Sequence, residues 1–130
     1  MNPARLSDRS PDLRCDWAAA LDALYNAVGD ESAFSRALGQ LQVHFGAQRV
    51  SIMRIPDLGR PEAVQLAAHD VPAEMLLEYQ THYVAHDVWI EAASRRQLVR
   101  TGAVLRGSAL VRTEDLQRSR FWREYLRRYD

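Results

Sequence analysis

Apolar positions recur with helical spacing in two early stretches of this chain, alternate over two short stretches in the middle, and return to helical spacing towards the end. Trp17, Ala20, Leu21, Leu24 and Val28 form the first stripe, which predicts a helix capped by Asp16, buried along that stripe and ended by Gly29. Phe34, Ala37, Leu38, Leu41 and Phe45 mark a second helix from Ser32 to Phe45, with Gly46 as its stop. In Arg49 to Ile55, Val50 and Ile52 alternate with Ser51 and Met53, although Met53 and Ile55 make the second face partly apolar. PDLGRP then supplies turn residues, and Val64, Leu66 and Ala68 alternate with Gln65 and Ala67, so a β-hairpin is predicted from Arg49 to Ala68. Residues 1–15, polar and carrying Pro3 and Pro11, read as a flexible arm ahead of a single domain over 16–130.

The second half reads as short helices. Pro72 suits the first turn of a helix whose apolar face holds Met75, Leu76, Tyr79 and Tyr83, and Asp87 suits the cap of another from Val88 to Arg95. TGAVLRGSALV, with two glycines, predicts a loop. Thr113 is a candidate cap for a turn carrying Glu114 and Asp115, where the helix dipole favours acids. Ser119 opens a last helix with Phe121, Trp122, Tyr125, Leu126 and Tyr129 on one side and arginines over the rest. No internal repeat or low-complexity tract occurs.

Composition narrows the class. With 130 residues, 47% hydrophobic and 26% charged, the chain is long enough for one globular domain that buries about two-thirds of its unfolded surface. No run approaches the roughly 20 apolar residues of a membrane span and the first residues lack a signal-peptide core, which makes a cytoplasmic protein the expectation. Cys15, alone, forms no internal disulfide and no zinc cluster. The net charge is zero, but Ser94 to Asp130 carries ten arginines against four acids while Met1 to Ala93 carries seven against thirteen. All seventeen basic residues are arginine, which fits a GC-rich coding sequence as well as a selected nucleic-acid face.

Three segments resemble the N-terminal sensory domains of LuxR-type transcriptional regulators, with the similarity running from about Trp17 to Tyr129. They are VPAEM with Tyr79, Tyr83 and Asp87-Val88-Trp89; Gly102-Ala103-Val104-Leu105 leading to Leu110-Val111; and Leu116 to Leu126, LQRSRFWREYL. The resemblance implies an α/β (α+β) class fold, a PAS- or GAF-like α/β/α sandwich with a central antiparallel sheet flanked by helices. Three further strands normally complete that sheet and a C-terminal helix-turn-helix binds promoter DNA. Neither is found in this sequence, so a truncated sandwich is expected, with DNA contact only through a part these residues do not supply. The implied role is signal sensing and homodimerisation without catalysis or cofactor. The alternative is a free-standing small-molecule-binding or protein-interaction module.

The autoinducer-binding branch of that family holds a lactone head group with a tryptophan, a tyrosine four residues later and an aspartate beyond. Here Met75, Tyr79 and Asp87 stand at similar positions, the tyrosine-to-aspartate interval is one residue shorter, and Val88 replaces a proline. Methionine donates no hydrogen bond, so lactone sensing is not expected.

The candidate ligand-binding residues are therefore Met75, Tyr79, Tyr83, Asp87 and Trp89, a few polar groups converging in an apolar pocket. The competing reading makes the tyrosines core aromatics with wet hydroxyls and Asp87 an N-cap only. His82 and His86 have the i, i+4 spacing of helical metal ligands but lack partners to complete a site, and surface histidines account for them. Ser51, Ser94, Ser108 and Ser119 lie in no nucleophile elbow, and the absence of lysine excludes a Walker-type phosphate loop. SRRQLVR and RSRFWREYLRR mix basic and aromatic residues as single-strand binders do, yet arginine stems lying over Phe121 and Trp122 on a solvated helix explain them equally.

Overall fold

The computed structural model describes residues 13–57 and 64–130, so most of the N-terminal arm and of the PDLGRP turn lies outside the described residues. Among the described residues the fold is α+β and mostly helical, with one two-stranded antiparallel sheet. The order is α1 (Leu13–Asn26), α2 (Glu31–Phe45), β1 (Val50–Arg54), β2 (Val64–His69), α3 (Ala73–Glu78), α4 (Val88–Arg95), α5 (Gly107–Leu110), α6 (Thr113–Arg118) and α7 (Arg120–Glu124). Tyr79–Tyr83 forms a π-helical turn, and Val84–His86 and Leu126–Arg128 form 3-10 turns.

Two compact units result. The first contains α1, α2, the start of β1 and Ala67–Asp70; the second contains the remainder of the hairpin and everything from Val71 onward.

In the first unit α2 begins at Glu31 instead of Ser32, capped by Asp30: its carboxylate accepts from the Ala33 amide at 3.0 Å and from the Ser32 hydroxyl at 2.9 Å, which holds it below the usual carboxylate range. Gly46 ends α2 in the left-handed conformation at φ 61°, as its sequence predicts. The end of β2 lies along α2. Ser35 donates to the Ala68 carbonyl at 2.7 Å, Gln42 donates to Asp70 at 2.9 Å, and a side chain at Gly39 would stand 2.9 Å from the His69 ring.

The predicted stripes are buried at Ala20, Ala37 and Leu38 but not at their C-terminal ends. Among the described residues of α1, the turn after it and α2, Ala20, Ala27, Ala37 and Leu38 are buried, whereas Val28 is 76% exposed and Phe45 66% exposed. Small side chains at the seam let helices approach closely, and that displaces bulky residues from the contact. Trp17 and Phe45 instead meet over His44 in a partly exposed ring cluster, with centroids 5.1 to 5.9 Å apart. Asp16 is not a cap, because α1 begins three residues earlier at Leu13.

The second unit is held by aromatic rings. Tyr79, Val84, Phe121 and Tyr125 are buried, and Met75, Tyr83, Trp89 and Tyr129 pack against them. Ser119 caps α7 by accepting from the Trp122 amide at 3.1 Å while donating to the Leu116 carbonyl at 2.6 Å. This turns the chain so that Phe121 and Tyr125 face inward. The helix predicted from Ser119 onward breaks at Tyr125, after which a 3-10 turn continues. Tyr125 turns aside to donate to the Met75 carbonyl at 2.9 Å, tying the last turn to α3. Glu78 closes the same seam by receiving both guanidinium nitrogens of Arg128 and the Tyr129 hydroxyl.

Two further expectations shift by one residue. Pro72 is the N-cap of α3 instead of its first residue, and Arg112 precedes α6 where Thr113 was the expected cap. The stretch read as a loop contains the four-residue helix α5.

Phe121 is only 2% exposed, so Phe121→Ala is expected to cost about 3–5 kcal/mol of unfolding free energy. Phe45→Ala, at an exposed site, is expected to stay within about 0.5 kcal/mol of the parent. Urea unfolding of both variants checks this. A large loss at Phe45 would show that the first unit, and not the aromatic cluster, carries the stability.

Candidate functional site

Asp87 organises the site from the backbone outward. It leaves helical geometry at ψ 104°, which aims its carboxylate back at the start of α4, where Oδ1 accepts from the Trp89 amide at 2.9 Å and the Ile90 amide at 3.1 Å. The helix it caps runs from Val88 to Arg95, the span its sequence predicts. Oδ2 receives the Tyr79 hydroxyl at 2.7 Å. The residue is only 8% exposed, and burial pushes its carboxyl above the usual range despite three hydrogen bonds that act the other way. Burial and the neighbouring Asp87 push the Tyr79 hydroxyl up as well, so the phenol remains a proton donor.

The tyrosines reach one another through the π-helical turn. Tyr79 and Tyr83 both pack on Tyr125: the Tyr83 ring stacks on it at 4.8 Å and 20°, and the Tyr79 ring lies 6.0 Å away. Trp89 meets Phe121 edge to face at 5.8 Å. Met75 is half-buried and packs against the same cluster, its carbonyl being the acceptor for Tyr125. The structure thus gathers Met75, Tyr79, Tyr83, Asp87 and Trp89 around one aromatic core.

Of those five, Trp89 alone lines the larger cavity, an open cleft of about 670 Å³. One wall comes from the end of β1 and the residues after it, Met53, Ile55, Pro56 and Asp57. The floor is Trp89, Ile90 and Ala93 of α4, and the far wall is Val99, Leu105 and Leu110. Gly107 sets the tryptophan's position, since a Cβ there would stand 2.9 Å from the indole Nε1. Gln97, left-handed at φ 54°, turns the chain out of α4 into the segment that supplies Val99. Nine of the ten lining residues are apolar, and a volume of this size suits a small organic ligand.

A second crevice of about 300 Å³ lies between Val84, Ala85 and the outer face of α4, bordered by Asp87, Glu91, Ser94 and Arg95. Ile90 borders both cavities. Asp87 therefore belongs to the crevice and not to the apolar cleft. Sequence reasoning missed Val99, Leu105 and Leu110, which lie in or beside the stretch read as a loop. The partly apolar second face of the Arg49 to Ile55 stretch, Met53 and Ile55, was the available signal for the opposite wall.

His82 and His86 do not share a helical face, because the π and 3-10 turns separate them. His86 Nε2 meets Arg120 at 3.2 Å, while the His82 ring lies edge-on to Tyr83. Among the described residues no group of three or more metal-ligating side chains converges, and no helix is long and apolar enough to cross a membrane.

The raised Asp87 carboxyl gives a pH dependence with a definite sign. The folded state holds this proton more tightly than the unfolded chain, so the contribution of Asp87 to stability falls as pH rises from its unfolded value near 3.9 through its folded value. Asp87→Asn removes that titration while retaining an acceptor for the Trp89 and Ile90 amides. The stability difference between variant and parent is expected to move in the variant's favour from pH 4 to pH 8 in urea titrations; a difference independent of pH would contradict the raised carboxyl. Tyr79→Phe leaves Oδ2 without its donor and is expected to cost about 1–3 kcal/mol at pH 7.

Comparison with protein-family models, with curated proteins and with solved structures finds no significant match to this chain.

Proposed function

We propose that this chain is the signal-sensing and dimerisation domain of a LuxR-type transcriptional regulator, acting in the cytoplasm without catalysis, with promoter DNA read by a helix-turn-helix outside these residues. The observation that carries the reading is the apolar cleft floored by Trp89, whose helix is set by the Asp87 cap and the Tyr79 hydroxyl. Three residues of the motifs that carry the sensory resemblance, Trp89, Leu105 and Leu110, thus line a cavity of ligand size. A PAS- or GAF-like sandwich is the finer fold this reading implies. Among the described residues each of the two strands has one edge without a strand partner, and such edges pair with further strands or with a second copy.

A free-standing interaction module is the second reading. It is favoured by Tyr25, Val28, Val43 and Phe45, apolar side chains left exposed on the helical pair of the first unit.

Thermal unfolding with a metabolite panel tests ligand sensing. A ligand is expected to raise the midpoint of the parent but not of Val99→Trp, which fills the cleft from an exposed position. An equal rise in both proteins would put the ligand elsewhere, and no rise across the panel would count against sensing. Light scattering is expected to give a dimer, and a monomer at high concentration would remove the dimerisation part.

A further inference from the structure

We propose that the crevice on the outer face of α4 is a second ligand site, separate from the apolar cleft, and that it takes a small amino acid as a zwitterion. Glu91 receives the ammonium, Arg95 and Ser94 receive the carboxylate, and a short hydrocarbon side chain lies on Val84, Ala85 and Ile90. The site does not depend on the reading of the apolar cleft.

The order of charges follows from the helix. Asp87, Glu91, Ser94 and Arg95 all border the crevice, and their spacing of four, three and one residues sets them along a single face of α4 and its cap. The two acids stand towards the start of the helix and the arginine at its last residue, about 12 Å from Asp87 along the axis at the backbone. A ligand with one charge of each sign answers both ends of this row. A ligand with a single charge leaves one end unanswered.

These groups have bonding capacity left. Arg95 and Glu91 approach only to 3.7 Å, longer than a hydrogen bond, and 70% of each side chain is exposed, so the pair yields readily to a stronger partner. The Ser94 hydroxyl is half-buried and makes no hydrogen bond among the described residues. Two amides and a phenol, all neutral, satisfy Asp87, and no cation among the described residues pairs with it. Its carboxylate therefore adds negative potential behind Glu91, on the side where the ammonium binds. At the other end the guanidinium fork matches a carboxylate, and the serine hydroxyl adds one more donor. Val84 is buried, and with Ala85 and Ile90 it forms an apolar wall that makes no hydrogen-bond demand. A volume of about 300 Å³ stands at the lower end of small-ligand cavities, which limits the occupant to a few carbons beyond its charged groups.

Isothermal titration of the chain with valine, isobutylamine and isovalerate, which share a hydrocarbon branch and differ in their charged groups, tests the proposal. Valine is expected to bind about tenfold more tightly than either of the others, since each of them lacks one charge-assisted contact. Arg95→Gln should weaken valine to the level of isobutylamine. The charge swap Glu91→Arg with Arg95→Glu keeps an i, i+4 pair of opposite sign at two exposed positions, so thermal unfolding should stay near that of the parent while valine binding is lost. Val99→Trp, which fills the apolar cleft, should leave valine binding intact. Isobutylamine as tight as valine would overturn the assignment in favour of a cation site, and isovalerate as tight as valine would overturn it in favour of an anion site. Unchanged valine binding by the charge-swapped protein would take the ligand off α4. Loss of valine binding in Val99→Trp would move it to the cleft. Binding of none of the three at millimolar concentration would remove the site and leave the reading of the cleft untouched.

Discussion

The buried carboxylate of Asp87 is the constraint on which the second unit depends. Its two oxygens serve two different elements: one satisfies the free amides that open α4, the other anchors the phenol at the end of α3. A hydroxyl side chain could cap the helix, but only a group with acceptors on both sides can do that and hold Tyr79 together. Because α4 carries Trp89, Ile90 and Ala93, fixing its first turn also fixes the floor of the cleft. The cost is a charge taken out of water, visible in a carboxyl whose burial outweighs its hydrogen bonds.

The two units solve the packing problem differently. In the first, alanines at the seam bring α1 and α2 together and leave aromatic and β-branched residues at the surface. In the second, five rings from the π turn, α4, α7 and the residue that ends α7 make the core, and every buried tyrosine hydroxyl there finds an acceptor. Burial raises the Tyr125 hydroxyl as it does that of Tyr79, which keeps both phenols in their proton-donating form.

What the sequence disclosed follows a physical pattern. Helix ends were legible wherever a side chain acts locally: Asp87 before α4, Ser119 before α7 and Gly46 after α2 each carry a capping chemistry that composition displays. The two strands of the hairpin were legible as well, although Ala67, read on the face opposite Val64, Leu66 and Ala68, is the buried residue. In the first unit the buried Ala20, Ala37 and Leu38 were legible in their stripes, whereas the exposure of Val28 and Phe45 at the ends of those stripes was not, since how far one helix covers another is a tertiary property. Nor was the end of α3 at Glu78, because a change from α to π hydrogen bonding leaves no mark in composition. Trp89 was identified beforehand, whereas Val99 and Leu105 became site residues only when Gln97 turned the chain to bring their segment over α4.

The wide turn at Tyr79–Tyr83 has a consequence for how this segment tolerates change. In an uninterrupted α-helix, residue 87 would lie about 12 Å along the axis from residue 79 and about 80° around it, out of reach of a phenol. The wide turn, the tight 3-10 turn after it and the extended step at Asp87 together bring the two side chains within 2.7 Å over eight residues. The partnership is therefore a property of residue count. Substitution at the exposed Thr81, His82 or Ala85 leaves that count intact, whereas the insertion or loss of one residue between the tyrosine and the aspartate would separate them.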